Sequence, residues 1–399
     1  MEKITTLWVS PTVLDLELHK TGLLNISEHL ELLGHKTCIV AMRSRSIQRN
    51  ENPQVHIISV PLRYIPLISR IMYSVTILFL LPILIIFSRP DFVIMEPDLS
   101  ILGSIPSILI SKLKRVKFVL DIRSTPVETV GLRGSLQKTW FSVSVLIAKK
   151  LFDGMTIITC LMKNEVCRDF DLNPEKVGVW TTGVSEALFN PESSFSGSPT
   201  LRKKLKVEGK FIVFYHGVLA ATRGLTETIK AIEILEPTHP EVVFFLLGSG
   251  PAASKLKALV QQEGLQRNVI IHDPVDQSKV PEFIDMSDVC IVPLPNHPYW
   301  RFQCSLKLLE YLAMEKVVIV TDIPAHRSII GEERCGIYVS SAEPEEIAKA
   351  IECAYSKKEN LEEWGKSGRE IIKDKYTWKK VARDLENYLL SISERTDLV

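Results

Sequence analysis

The sequence is short of several things. Its seven cysteines (38, 160, 167, 290, 304, 335 and 353) form no CxxC pair and are odd in number. That argues against a zinc site or a disulfide framework and fits a reducing compartment. There is no charge surplus, with 48 Lys+Arg against 47 Asp+Glu. A general nucleic-acid binder carries a basic excess, so nucleic acid is not an expected partner. Short-period repeats, low-complexity tracts and a GxGxxG fingerprint are missing. The second half also has no DxD-like pair. The opening MEKITTLWVSPTV is too polar for a signal peptide.

What is present is apolar sequence in a regular order. Hydrophobic residues make up 46% of 399 residues, enough for two cored domains. Strand-like runs in the first half are ITTLWVS (4–10), TCIVAM (37–42), VHIISV (55–60), DFVIME (91–96), KFVLDIR (117–123), GMTIITC (154–160) and VGVWTTG (177–183). A loop containing Gly22 leads into a helical stretch that Gly34 closes. NPESSFSGSPT (190–200) reads as a linker. The alternation restarts with FIVFYHG (211–217), VVFFLLGSG (242–250), VIIHD (269–273), VCIVPL (289–294) and VVIVTD (317–322).

Strands alternating with helices imply parallel sheets covered on both faces. The expected architecture is α/β, with two Rossmann-like doubly wound domains facing across a cleft. The first covers 1–190 and the second 191–378. A C-terminal helix is expected over 379–399. The first 190 residues hold 21 basic and 17 acidic side chains, and the remainder 27 and 30. That asymmetry weakly favours an anionic surface against the first half, and an indifferent solvated surface fits as well.

In such sheets ligands bind beyond the carboxyl ends of the strands. After strand 211–217, Gly217 is followed by Arg223-Gly224 and a helix start. Backbone N–H groups and a guanidinium there suit a phosphate, and a plain strand–helix turn fits equally. Gly248 and Gly250 end the next strand and allow close backbone approach. In CSLKLLEYLAMEKVVIVTDIPAHRSII (304–330), Ser305 is a candidate N-cap. Lys307 falls in the first turn, where a diphosphate meets its ammonium and unpaired N–H groups. Glu310 shares its face and suits a ribose diol. The plain alternative is an intrahelical Lys–Glu pair. Asp121 and Arg123 end a strand at the expected cleft and are the catalytic candidates, with Asp121 as a turn cap the alternative. His19, His216 and His326 are further polar candidates.

These stretches, with VPEFIDMSDVCIVPL, GIYVSSAEPEEIAKAI, HLELLGH and TTGVSEALFNP, resemble in content and order the GT-B glycosyltransferases of family 4. The resemblance spans nearly the whole chain. It implies a retaining, metal-independent hexosyl- or related transferase of cell-envelope glycan biosynthesis, with a nucleotide sugar as donor. The acceptor would be a glycan or a lipid-linked molecule. It implies donor binding by Gly22, Gly217, Arg223, Gly248, Gly250, the backbone near His272, Ser305, Lys307 and Glu310, with no metal or cofactor. It also implies that the C-terminal helix returns toward the first domain. Two positions depart from the family. Phe302 stands where the first glutamate of Glu-x7-Glu falls, and Val218 stands where an arginine is common. Arg301 and Gln303 are candidates to replace Phe302's lost function. A catalytically silent GT-B-like subunit is therefore the alternative. An epimerase of the same fold lacks its glutamate and histidine set.

One run stands out. IMYSVTILFLLPILIIF (71–87) carries no charge and is interrupted by Pro82. Seventeen residues span roughly 25 Å, short of a bilayer core of about 30 Å. The strands on either side belong to one expected sheet, so a single crossing is excluded. The segment 64–89, with Arg63, Arg70 and Arg89 around it, is expected to be either a core helix or a membrane-docking face. The protein is then cytoplasmic, or peripheral on the inner face of the cell membrane.

Overall fold

A computed structural model describes residues 3–13, 20–43, 55–62, 65, 68–126, 131–192 and 198–397. His19, Arg63 and linker residues 193–197 lie outside them. The chain forms two units, Met1–Thr182 with Trp378–Val399, and Gly183–Thr377.

The first unit holds β1 (Thr5–Val13), β2 (Lys36–Arg43), β3 (His56–Pro61), β4 (Phe92–Met95), β5 (Lys117–Ile122), β6 (Gly154–Ile157) and β7 (Val177–Val179). They form one parallel sheet in the order β3-β2-β1-β4-β5-β6-β7. β4 is buried at every position, the pattern of a strand covered on both faces. The helix Trp378–Asp397 closes this unit. Its Trp378, Val381, Leu385, Leu389 and Ile392 pack with Trp8, Ile26, Leu30 and Trp180. Ile4 N donates to His35 Nδ1 (3.1 Å), so His35 Nε2 carries the proton and donates to Glu386 at 2.6 Å. A side chain at Gly154 or Gly178 would run into Tyr388, whose hydroxyl donates to the Lys176 carbonyl.

The second unit holds β8 (Phe211–His216), β9 (Val242–Leu247), β10 (Val269–His272), β11 (Val289–Val292), β12 (Val318–Thr321) and β13 (Gly336–Val339). The order β10-β9-β8-β11-β12-β13 repeats the doubly wound pattern. β13 was not among the expected strands. It lies at the sheet edge with only its last residue fully buried, so it lacks the continuous apolar run that marks β11 and β12.

Three expectations need correction. The boundary lies at 182/183 rather than after 190, because Val184 and Phe189 pack into the second unit's core. Gly22 sits inside the helix Lys20–Leu32, not in a loop, with nothing within 4 Å of where its Cβ would be. The apolar helix runs from Ile68 to Ser88, 21 residues with Pro82 inside it. At 1.5 Å per residue that is about 31 Å, so length does not exclude a span. The topology does: β3 precedes it and β4 follows it in one sheet.

Candidate functional site

Each sheet reverses its strand order at one place, where open α/β sheets bind ligands. In the second unit the reversal lies between β8 and β11. β8 ends on His216, and Gly217 follows it. The helix Leu306–Ala313 follows β11 and brings Lys307, Glu310 and Tyr311 to that strand end.

Lys307 is 8% exposed. Gly217 has φ of 116°, and a Cβ there would lie 3.5 Å from Lys307 Cε and 3.6 Å from Nζ. The amine therefore lies directly over the strand end. It also sits 4.8 Å from the centre of the Tyr215 ring. Burial brings its pKa down to about 7, the positive charge of Arg223 adds to the fall, and Glu310 opposes it. Arg223 closes a short turn, Ala221–Arg223, and its guanidinium is 4.9 Å from the Trp300 ring centre. Trp300 Nε1 donates to the Thr222 carbonyl (3.1 Å), which fixes the ring beneath the cation.

Glu310 is 4% exposed. Its partner is His216 at 2.8 Å and not Lys307, so the intrahelical pair is not formed. A directed chain explains the arrangement. His216 N donates to the Tyr311 hydroxyl (2.9 Å), which donates in turn to His216 Nδ1 (3.0 Å). Nε2 then holds the ring proton and donates to Glu310. Tyr311 is a site residue that sequence reasoning missed, because an apolar neighbourhood made it look like core.

Ser305 occupies the N-cap position, but its hydroxyl makes no capping bond. Gly248 and Gly250 answer to the protein's own backbone. A side chain at Gly248 would strike the Gly217 carbonyl, and one at Gly250 the Leu219 carbonyl. The two loops are stitched together by Leu219 N donating to Ser249 O (2.8 Å) and Gly248 N to His272 O (3.0 Å). His272 stacks 6.0 Å from Phe245, and its Nδ1 donates to the Asp273 carbonyl. Gln303 Nε2 and His326 Nε2 are buried polar atoms without a protein partner among the described residues. His326 Nδ1 donates to the Thr321 carbonyl (2.7 Å), and burial lowers the ring's pKa to about 4, leaving Nε2 an acceptor.

In the first unit, Asp121 is 1% exposed and its Oδ1 accepts from Thr156 Oγ1 (2.7 Å) and Trp180 Nε1 (2.9 Å). Burial raises its pKa, while Arg123, Thr156 and Trp180 hold it down. Arg123 lies 3.5 Å from the Trp180 ring centre, and its Nη1 donates to the Trp180 carbonyl (2.8 Å). Both catalytic candidates are thus engaged in tying the end of β5 to the segment after β7. A strand-end acid beside an arginine looks the same in sequence whether it faces a ligand or an indole. At this unit's own reversal, between β1 and β4, Ser10 Oγ donates to Glu96 (2.6 Å), a pair the sequence reading did not single out. Asparagine at 121 keeps an oxygen for both donors, so Asp121→Asn is expected to leave turnover at the wild-type level. A large loss of kcat with an unchanged melting curve would restore Asp121 to catalysis.

Residues 198–371 match the family model of glycosyl transferases group 1. An uncharacterized glycosyltransferase of Methanocaldococcus jannaschii is 24% identical over 284 residues, 68% of this chain and 69% of that one. The alpha-D-kanosaminyltransferase of Streptomyces kanamyceticus is 24% identical over 199 residues, 50% of each chain. Among solved structures, Anabaena HepE in complex with UDP aligns with a TM-score of 0.76 at 13% identity, over 97% of this chain and 100% of that one. Sucrose-phosphate synthase of Thermosynechococcus elongatus aligns with a TM-score of 0.78 at 15% identity, over 98% and 100%. Most of the second unit therefore matches the group 1 glycosyl transferases, and the chain has the GT-B fold.

Proposed function

We propose that the protein is a retaining, metal-independent glycosyltransferase of family 4. It moves a hexosyl or related sugar from a nucleoside-diphosphate donor to a glycan or lipid-linked acceptor, on the cytoplasmic side of the membrane. The observation that carries this reading is the buried Lys307 amine over Gly217, with Arg223 and Glu310 at the same strand end. A buried cation costs stability unless an anion meets it. A diphosphate leaving group is such an anion. Lys307 and Arg223 hold its charge as the glycosidic bond breaks, the electrostatic contribution that dominates many enzymes. Glu310 keeps one oxygen on His216 and accepts a ribose hydroxyl with the other. Gln303 offers its unpaired Nε2 to the sugar near the position that Phe302 leaves apolar. The named relatives are transferases, so a silent binding subunit is not favoured.

A melting series with UDP, GDP and ADP tests the site. One of them at 100 times its Kd should stabilise the protein by about 2.7 kcal/mol. The corresponding sugar nucleotide should then be turned over, with the product's anomeric configuration by NMR matching the donor's. No stabilisation by any of the three removes the assignment.

A further inference from the structure

We infer that the helices Ile68–Ser88 and Ser100–Lys114 together form a docking face for an anionic lipid bilayer, on which the protein lies without crossing. The inference stands apart from the donor site and would hold for any enzyme at this surface.

Beyond its first turns, which hold Arg70 and Thr76, the first helix is apolar on every side, yet only one side is used. Tyr73, Ile77, Leu81 and Ile85 are 0% exposed. The opposite stripe, Ile71, Val75, Phe79, Ile83 and Ile86, is 43–66% exposed. A surface helix of a globular protein is normally polar opposite its core side. The second helix repeats the pattern. Leu102, Ile105, Leu109 and Leu113 recur at intervals of three and four and are 38–84% exposed. The two helices pack closely, since a side chain at Gly103 would run into the Ser74 carbonyl. An apolar face on two adjacent helices is what an interface, not a solvent boundary, requires.

Charge names the occupant. Neither helix contains an acidic residue, in a chain whose acids and bases balance. The second helix ends with Lys112, Lys114 and Arg115, and Arg89 follows the first. Arg89 and Arg115 have φ of 43° and 58°, the left-handed region where glycine is favoured. Arginine at both helix ends keeps a strained backbone in exchange for a cation. Lys112, Arg115 and Lys117 also line a cavity of about 610 Å³, shared with Asp153, large enough for a phosphate headgroup. A second copy of this chain would bring the same cations against each other, whereas an anionic leaflet pairs with them. An apolar stripe with a basic fringe settles at the headgroup boundary.

Flotation of the full chain with vesicles tests this. The wild type should float with phosphatidylcholine containing phosphatidylglycerol and stay behind with phosphatidylcholine alone. Phe79→Glu with Ile83→Glu, both at exposed positions, should abolish flotation with an unchanged circular dichroism spectrum. Arg89→Gly with Arg115→Gly should raise the melting temperature and weaken partition about 30-fold. Stabilisation by nucleotide should be the same in all three proteins, which separates this face from the donor site. The inference falls if the wild type fails to float, or if both variants float like it. It falls too if sedimentation shows a dimer that Phe79→Glu dissociates while vesicles are ignored; the face then belongs to a second copy.

Discussion

Lys307→Met is expected to make the ligand-free protein more stable and to weaken nucleoside-diphosphate binding by about 100-fold, the cost of removing one partner of a buried charge pair. The two effects have one cause. The amine's pKa is about 7 in the folded chain against an ordinary 10.5. Between these values the unfolded chain holds a proton that the folded chain lacks, so stability climbs as pH rises from 7 toward 10.5. Below 7 the amine is charged in both states and the full penalty of burying it stands. That penalty is on the order of 5 kcal/mol at most. Methionine fills the same channel over Gly217 without charge and without pressing on Arg223. Melting curves at pH 6.5 should show the gain, and calorimetry with UDP the loss. A variant that loses binding and stability together would show that Lys307 is held by the protein's own contacts.

The same pKa gives binding a pH signature. A diphosphate favours the ammonium form, so at pH 8 the complex should take up close to one proton, and at pH 6 none. Calorimetry in buffers of different ionisation enthalpy reads this directly. In kinetics, kcat/KM for the donor should fall as pH rises through about 7. The corresponding limb in kcat should lie higher, because the bound diphosphate holds the proton on.

Much of the fold was legible in the chain. Runs such as VVFFLL and FVIM are too continuous for a half-exposed strand, and their spacing with helices admits little except parallel sheets. Lys307 and Glu310 were singled out because both fall near the start of a helix that follows a strand. His216 was a candidate on its own account, but its pairing with Glu310 and Tyr311 was not foreseen. His216 and Tyr311 lie 94 and 95 residues from the atoms they touch, and no local pattern records such pairings. The same holds for Asp121, whose bond to Trp180 reaches across 59 residues. The glycines at 248 and 250 were singled out for ligand approach. What approaches their backbone is the Gly217–Leu219 loop. The apolar run at 71–87 hid two states in one composition. A stripe at 0% exposure and another above 40% are equally hydrophobic in sequence, and only packing separates them.

Glu310→Gln is expected to keep the fold and lose the ribose. Glutamine retains an oxygen that accepts from His216 Nε2, so the chain through Tyr311 survives and the melting temperature changes little. The other half of the group becomes an uncharged donor where an acceptor stood. Losing one hydrogen bond to a charged group costs about 1.5–3 kcal/mol, or roughly 10- to 100-fold in affinity for UDP. Selectivity is the sharper readout. The wild-type protein should prefer UDP to 2′-deoxy-UDP, and the glutamine variant should bind both alike. Glu310→Ala behaves differently, because it leaves the partly buried His216 N–H without its acceptor and adds about 1 kcal/mol of instability. An unchanged preference for the ribose hydroxyl in Glu310→Gln, with its melting curve intact, would assign that carboxylate to His216 alone and move ribose recognition elsewhere in the second unit.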